Sequence, residues 1–194
     1  QRCEYSVTAD KDDGSGWAKQ VVSNPDLIDA ESVARRAVQK ALASRHHRPV
    51  APGSYPVVLE AAAVADLVRM FPWMAFNALD YLEGRHFALD RMGEKFFDEK
   101  LTIRIDPADP LAPEGGVGWE GVPHRARAFI DKGVVSALYR SRAWAQKTDA
   151  EPIPFARNFI VEGGDASLDA AEVGVGRGEV LRGVEEEGHV HRHA

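Results

Sequence analysis

Cysteine is almost absent: Cys3 stands alone among 194 residues, so no internal disulfide can form. That fits a reducing, cytoplasmic setting. No apolar run approaches the ~20 residues that a membrane-spanning helix needs, so no membrane partner is expected. No charged-then-apolar leader opens the chain. Lys and Arg number 24 against 30 Asp and Glu, a net charge of −6, and no dense basic block stands out. Direct nucleic-acid contact over a wide face is therefore not expected. The nucleophile elbow G-x-S-x-G is missing, since GSGW at 14–17 has neither its spacing nor its strand–helix setting. Around Glu60, Leu59, Ala63 and Val64 occupy the positions where a zinc helix of the H-E-x-x-H kind would carry histidines.

What is present is a foldable chain, 44% apolar. In EYSVTAD, Tyr5, Val7 and Ala9 alternate with polar residues, the period of a half-buried strand. This reads as mid-domain strand, so the chain is expected to begin inside a larger protein. KDDGSGW reads as a polar loop. A helix follows, with Asp29 as its cap, Glu31 in the first turn and Ile28 and Val33 placed as a hydrophobic staple. Ala30, Val33, Ala34, Ala37, Val38 and Ala41 make its apolar stripe, and their small size predicts close packing on a sheet. Residues 45–54, SRHHRPVAPG, read as a linker.

Tyr55–Leu59 reads as a short buried strand, and 60–71 as a helix with Val64, Leu67, Val68 and Phe71 inward. Pro72 stops or kinks it. A second helix over about 73–83 points Ala75, Ala78, Leu79 and Leu82 inward and ends at Gly84. Strands dominate afterwards: LTIRID, a hairpin of 125–131 and 134–140 about Lys132–Gly133, and NFIVEGG. Ser167 is placed to cap a helix at SLDAAE, and 174–194 is Gly- and Glu-rich, expected to pack poorly. Helices first and antiparallel strands later argue for an α+β fold.

Chemistry has few candidates. Glu60 is either a general acid or base at a helix start, or a charge that favours the helix dipole there. His189, His191 and His193 could bind zinc or nickel, or belong to a solvated tail with adventitious metal affinity. His46–His47, His86 and His124 read as ordinary polar residues. Glu120 and Gly121, in GWEGVPHRA, are candidates for a binding-site element, since glycines let a backbone or ligand approach closely, the alternative being a simple turn. GVGRGEV at 174–180 lacks the strand and helix of a phosphate cradle.

The serial order of several pieces resembles the TldD/TldE (PmbA) family, also called modulator of DNA gyrase. They are EYSVTADKDDGSGWA, PGSYPVVLEAAAVADLV, LEGRHF, MGEKFFDEKLTIRIDP, EGVPHRARAFIDKGVVSALY and NFIVEGGDASLD. The resemblance covers roughly residues 1–170. It implies that 1–48 end the family's N-terminal α/β domain, that 49–170 form most of a β-rich C-terminal domain with a few packed helices, and that 171–194 are a divergent or poorly ordered tail. The family's active metallopeptidase subunit carries HExxxH where this chain reads Leu59-Glu60-Ala61-Ala62-Ala63-Val64, so Leu59 and Val64 replace both histidines. The resemblance thus implies a TldE-type subunit with no catalytic residue, Glu60 being most simply a relic or a helix-start charge, and with no metal and no cofactor. Its partners would be a TldD-type metallopeptidase, in a homo- or heterodimer, and an extended peptide substrate. Departures from the family pattern are Gly118–Trp119 before Glu120, where an acidic pair is common, and His86 in place of a common Ser. Two rival functions are a self-sufficient metallohydrolase built on the C-terminal histidines and a gyrase- or DNA-associated regulator.

Overall fold

The computed structural model describes residues 3–110 and 112–162. The fold is α+β, with antiparallel sheets and short helices. Internal contacts divide it into two compact units, Gln1–Tyr55 and a second that begins at Pro56.

In the first unit, β1 (Cys3–Lys11) pairs antiparallel with β2 (Gly14–Val22), in register from Lys11 opposite Gly14 to Cys3 opposite Val22. The expected loop is thus only Asp12–Asp13, with Asp12 at a left-handed φ of 55° that aspartate tolerates. Gly14 and Gly16, which make the sequence look like loop, are strand residues for a steric reason. A Cβ on Gly14 would lie 2.1 Å from the Ala41 carbonyl oxygen, and one on Gly16 would lie 2.1 Å from that of Ala37. Helix α1 (Ala30–Ala43) sits directly on the strand backbone there.

The expected cap is present, with Asp29 Oδ1 accepting from the Ser32 N–H at 2.9 Å. The Asp29 N–H donates in turn to Gln20 Oε1 at 2.8 Å, tying the helix start to β2. At the other end Ser44 Oγ accepts from the Ser15 N–H at 3.0 Å and donates to the Ser15 carbonyl at 2.9 Å. Val33, Ala37 and Ala41 are buried, while Ala30 and Val38 of the expected stripe face outward. Tyr5, Val7 and Ala9 pack against this small-residue layer from β1.

The second unit has a four-stranded antiparallel sheet in the order β5 (Val134–Val135), β4 (Arg127–Asp131), β3 (Ile103–Ile105), β6 (Phe159–Val161). Ile103 and Ile105 are buried, as the alternation of LTIRID predicts. The β4–β5 turn is the expected Lys132–Gly133, with φ of 47° and 83°, the left-handed pair that a two-residue hairpin turn requires. The Gly133 carbonyl accepts from the N–H groups of Phe96 and Phe97, both at 3.0 Å, and its N–H donates to the Leu101 carbonyl at 2.9 Å. The hairpin is shorter than expected because the chain leaves β4 after Ser136, whose N–H still donates to the Phe129 carbonyl at 2.9 Å. The Tyr139 N–H then donates to the Phe76 carbonyl, and Arg140 pairs with Ile153.

Three phenylalanines from distant positions close the core. Phe76 and Phe129 lie 4.9 Å apart by ring centroid, Phe129 and Phe159 5.5 Å, and Phe76 and Phe159 5.7 Å. Val68, Ile103, Ile105 and Ile130 surround them.

The helices differ from the expected pair. Tyr55–Leu59 is not a strand: the segment is irregular, and Tyr55, Val57 and Leu59 are exposed. Pro56 within it has no N–H to give a ladder. Helix α2 runs Ala61–Val68 and α3 Phe71–Met74. A continuous helix would need an N–H at residue 72 to bond the Val68 carbonyl, and Pro72 has none. The chain therefore bends at Arg69–Met70 and restarts with Pro72 in the first turn, where no N–H is needed. Val64, Val68 and Phe71 face the core, whereas Leu67 is 55% exposed, so the buried stripe is narrower than the periodicity suggests. Helix α4 (Ala78–Leu82) is capped by Asn77, whose Oδ1 accepts from the Leu79 N–H at 3.0 Å. Ala78 is buried, and Leu82 is exposed, against expectation. Helix α5 (Arg142–Thr148), which the periodicity did not mark, is capped by Ser141 on the Trp144 N–H at 3.3 Å. The helix expected after Ser167 lies outside the described residues.

Candidate functional site

Glu60 is the N-cap residue of α2, with extended backbone (φ −60°, ψ 157°), and its side chain makes no capping hydrogen bond. The opening turn is held by the Glu60 carbonyl accepting from the Val64 N–H at 3.0 Å. Leu59 precedes it, 44% exposed, and Val64 leans on the hydrophobic core. Neither side chain carries a lone pair for a metal. No group of three or more His, Cys, Asp or Glu suited to a metal ion occurs among the described residues. The donor set at this helix start therefore does not fit the zinc of a metallopeptidase.

Glu120 and Gly121 lie in the loop before β4. Glu120 Oε2 accepts from the Arg142 N–H at 2.9 Å, and Arg142 Nη1 donates back to the Glu120 carbonyl at 3.2 Å. Gly121, at φ 74°, closes a turn in which its N–H reaches the Gly118 carbonyl at 2.9 Å. The carboxylate is thus engaged in fastening this loop to the start of α5. Its neighbour Trp119 is 88% exposed.

Of the described histidines, His86 and His124 serve structure. In buried His86, Nδ1 accepts from the Ala88 N–H at 3.0 Å, which leaves Nε2–H to donate to the Ala75 carbonyl at 2.8 Å. His124 stands between two carbonyls, with Nδ1 2.5 Å from the Gly115 oxygen and Nε2 3.1 Å from that of Phe155. His46 and His47 follow α1 on the surface, where the His46 N–H donates to Asp13 Oδ2 at 3.0 Å. His189, His191 and His193 lie outside the described residues.

A feature that the sequence reading passed over is a cavity of about 240 Å³ beside β3 and β4. Its floor is Ile105, Val122 and Ile153. Pro152 and Pro154 wall one side, and Arg125, Arg127 and Glu151 form the rim. Three ties hold its walls in place. Arg127 Nη2 donates to Glu151 Oε2 at 2.9 Å, His124 reaches Phe155, and Arg140 and Ile153 exchange backbone hydrogen bonds of 2.8 and 3.0 Å. The signal in the sequence was P-I-P at 152–154 and R-A-R at 125–127, two short patterns that mean nothing until the fold brings them together.

Comparison with known proteins gives a consistent result. The model of the PmbA/TldA metallopeptidase C-terminal domain matches residues 52–190. A metalloprotease of Methanothermobacter thermautotrophicus is 26% identical over 167 residues, covering 80% of this chain and 37% of that protein. A candidate modulator of DNA gyrase from Thermotoga maritima superposes with a TM-score of 0.74 at 21% identity, over 87% of this chain and 41% of that one. TldE from Thermococcus kodakarensis superposes at 0.66 with 20% identity, over 87% of this chain and 42% of that one. At these identities the structural likeness is one of fold. The chain spans about two fifths of the length of these relatives.

Proposed function

The chain belongs to the PmbA/TldA metallopeptidase family through its C-terminal domain, and from that premise we propose that it is a TldE-type, non-metal subunit that supports peptide cleavage by a TldD-type partner. The carrying observation is the start of α2, where Leu59 and Val64 flank Glu60 and offer a metal no ligand. A subunit of this kind contributes shape and peptide contacts, while the metal chemistry belongs to the partner. Extended peptides dock by adding a strand to a sheet edge, which gives affinity from backbone groups with little sequence reading. The reading includes a cytoplasmic setting and no direct DNA contact; the net charge of −6 supports the latter.

The test is to mix the chain with an active TldD-type subunit, follow association by native mass spectrometry and measure cleavage of an unfolded peptide. Association with a changed cleavage rate is expected. No association and no change in rate would overturn the proposal. Glu60→Gln should leave the partner-dependent rate nearly unaltered, because losing a true general base lowers a rate by ~10²–10⁴. A hundredfold loss would make Glu60 catalytic.

A further inference from the structure

The cavity beside β3 and β4 has a floor of buried aliphatic side chains and a charged rim on one side. At about 240 Å³ it is smaller than the usual ~300–1,000 Å³ small-molecule pocket, and suits a single side chain. The 152–154 wall cannot take a strand. Pro152 and Pro154 have no N–H, and the N–H and carbonyl of Ile153 are both used by Arg140. A peptide here must therefore be held by a side chain inserted into the pocket and by the rim charges. At the rim, two guanidinium groups share one carboxylate. Glu151 is taken by Arg127 at 2.9 Å, while Arg125 stands at the 4.0 Å limit of an ion pair with its side chain 73% exposed. The rim carries one excess positive charge, placed on the arginine with most room to meet a ligand.

We propose that this pocket is a side-chain subsite for acidic peptides, which takes one apolar side chain of an extended peptide while Arg125 pairs with a carboxylate on an adjacent residue. The inference rests on the peptide-binding reading above and names the peptide class that the subunit favours. Arg125 is a binding residue here. The charge complement supplies the preference, and the aliphatic floor supplies the anchor.

The 194-residue chain is titrated at low salt with a fluorescein-labelled Gly-Glu-Leu-Glu-Gly peptide and with its Gln-for-Glu counterpart, read by fluorescence anisotropy. The acidic peptide should bind about fivefold tighter, the size that an exposed ion pair supports, and added salt should erase the difference. Arg125→Glu should abolish or reverse the preference, and Arg125→Lys should keep most of it. Circular dichroism of both variants checks that the fold is intact; Arg125 is exposed, so no change is expected. Equal binding of the two peptides, binding of neither, or a preference that survives Arg125→Glu would overturn the subsite. None of these results touches partner association or partner-dependent cleavage, which decide the subunit reading separately.

Discussion

Single side chains in the second unit differ sharply in what they hold. Val68 is 6% exposed and Leu67 55%, one residue apart on α2. Val68→Ala should lower stability by about 1–3 kcal/mol, and Leu67→Ala should fall within about 0.5 kcal/mol of the parent, measured by urea unfolding. The reverse order would mean that α2 turns its other face to the sheet. Glu120→Ala should free the start of α5. The loss of a capping interaction there costs about 0.5–2 kcal/mol, and hydrogen exchange at Arg142 should quicken. Unchanged exchange at that amide would sink the fastening role. His124 has a different constraint, since both ring nitrogens face carbonyls and a neutral ring has only one N–H to give.

At the scale of elements, the hairpin and the helix of the first unit are joined by absence of side chain. Gly16→Ala should cost about 1–3 kcal/mol, because the added methyl meets backbone that cannot swing aside. Gly133→Ala faces both a left-handed φ, worth roughly 1–2 kcal/mol, and a Cβ 2.3 Å from the Phe97 carbonyl oxygen. Thermal melts of both variants check these values, and an unshifted melting temperature would refute the contact.

The same elements show what the sequence made legible. The Asp29 cap, the Lys132–Gly133 turn and the Ile103/Ile105 alternation are local signals, and they are where they were expected. Strand β2 was missed because its glycines answer to α1, some 25 residues away, rather than to their neighbours. Tyr55–Leu59 was overread because an apolar run says nothing about whether a strand stands beside it. The start of α2 was legible in its chemistry, since no fold gives leucine or valine a lone pair. The rim of Arg125, Arg127 and Glu151 was not, because it depends on two segments that meet only in three dimensions.

For the whole molecule, the division after Tyr55 makes a prediction about cutting. Residues 46–57 are exposed and, beyond a turn at the end of α1, lack regular structure, and they include the exposed Val50 and Val57. Limited elastase treatment should cut after Val50 or Val57 before it opens α1 or the four-stranded sheet, with the fragments read by mass spectrometry. First cleavage inside β4 or α1 would contradict the two-unit description. The first unit has a further consequence. Among the described residues β1 pairs on one side only, so alternate backbone N–H and carbonyl groups along its nine residues point away from the hairpin, whereas outward groups of β2 at Ser15, Trp17 and Lys19 are met by Ser44, Lys40 and Arg36. The row along β1 invites a strand from another molecule. Light scattering by the isolated chain should therefore climb with concentration well below its melting temperature, and crowding rather than heat would limit how long a sample keeps.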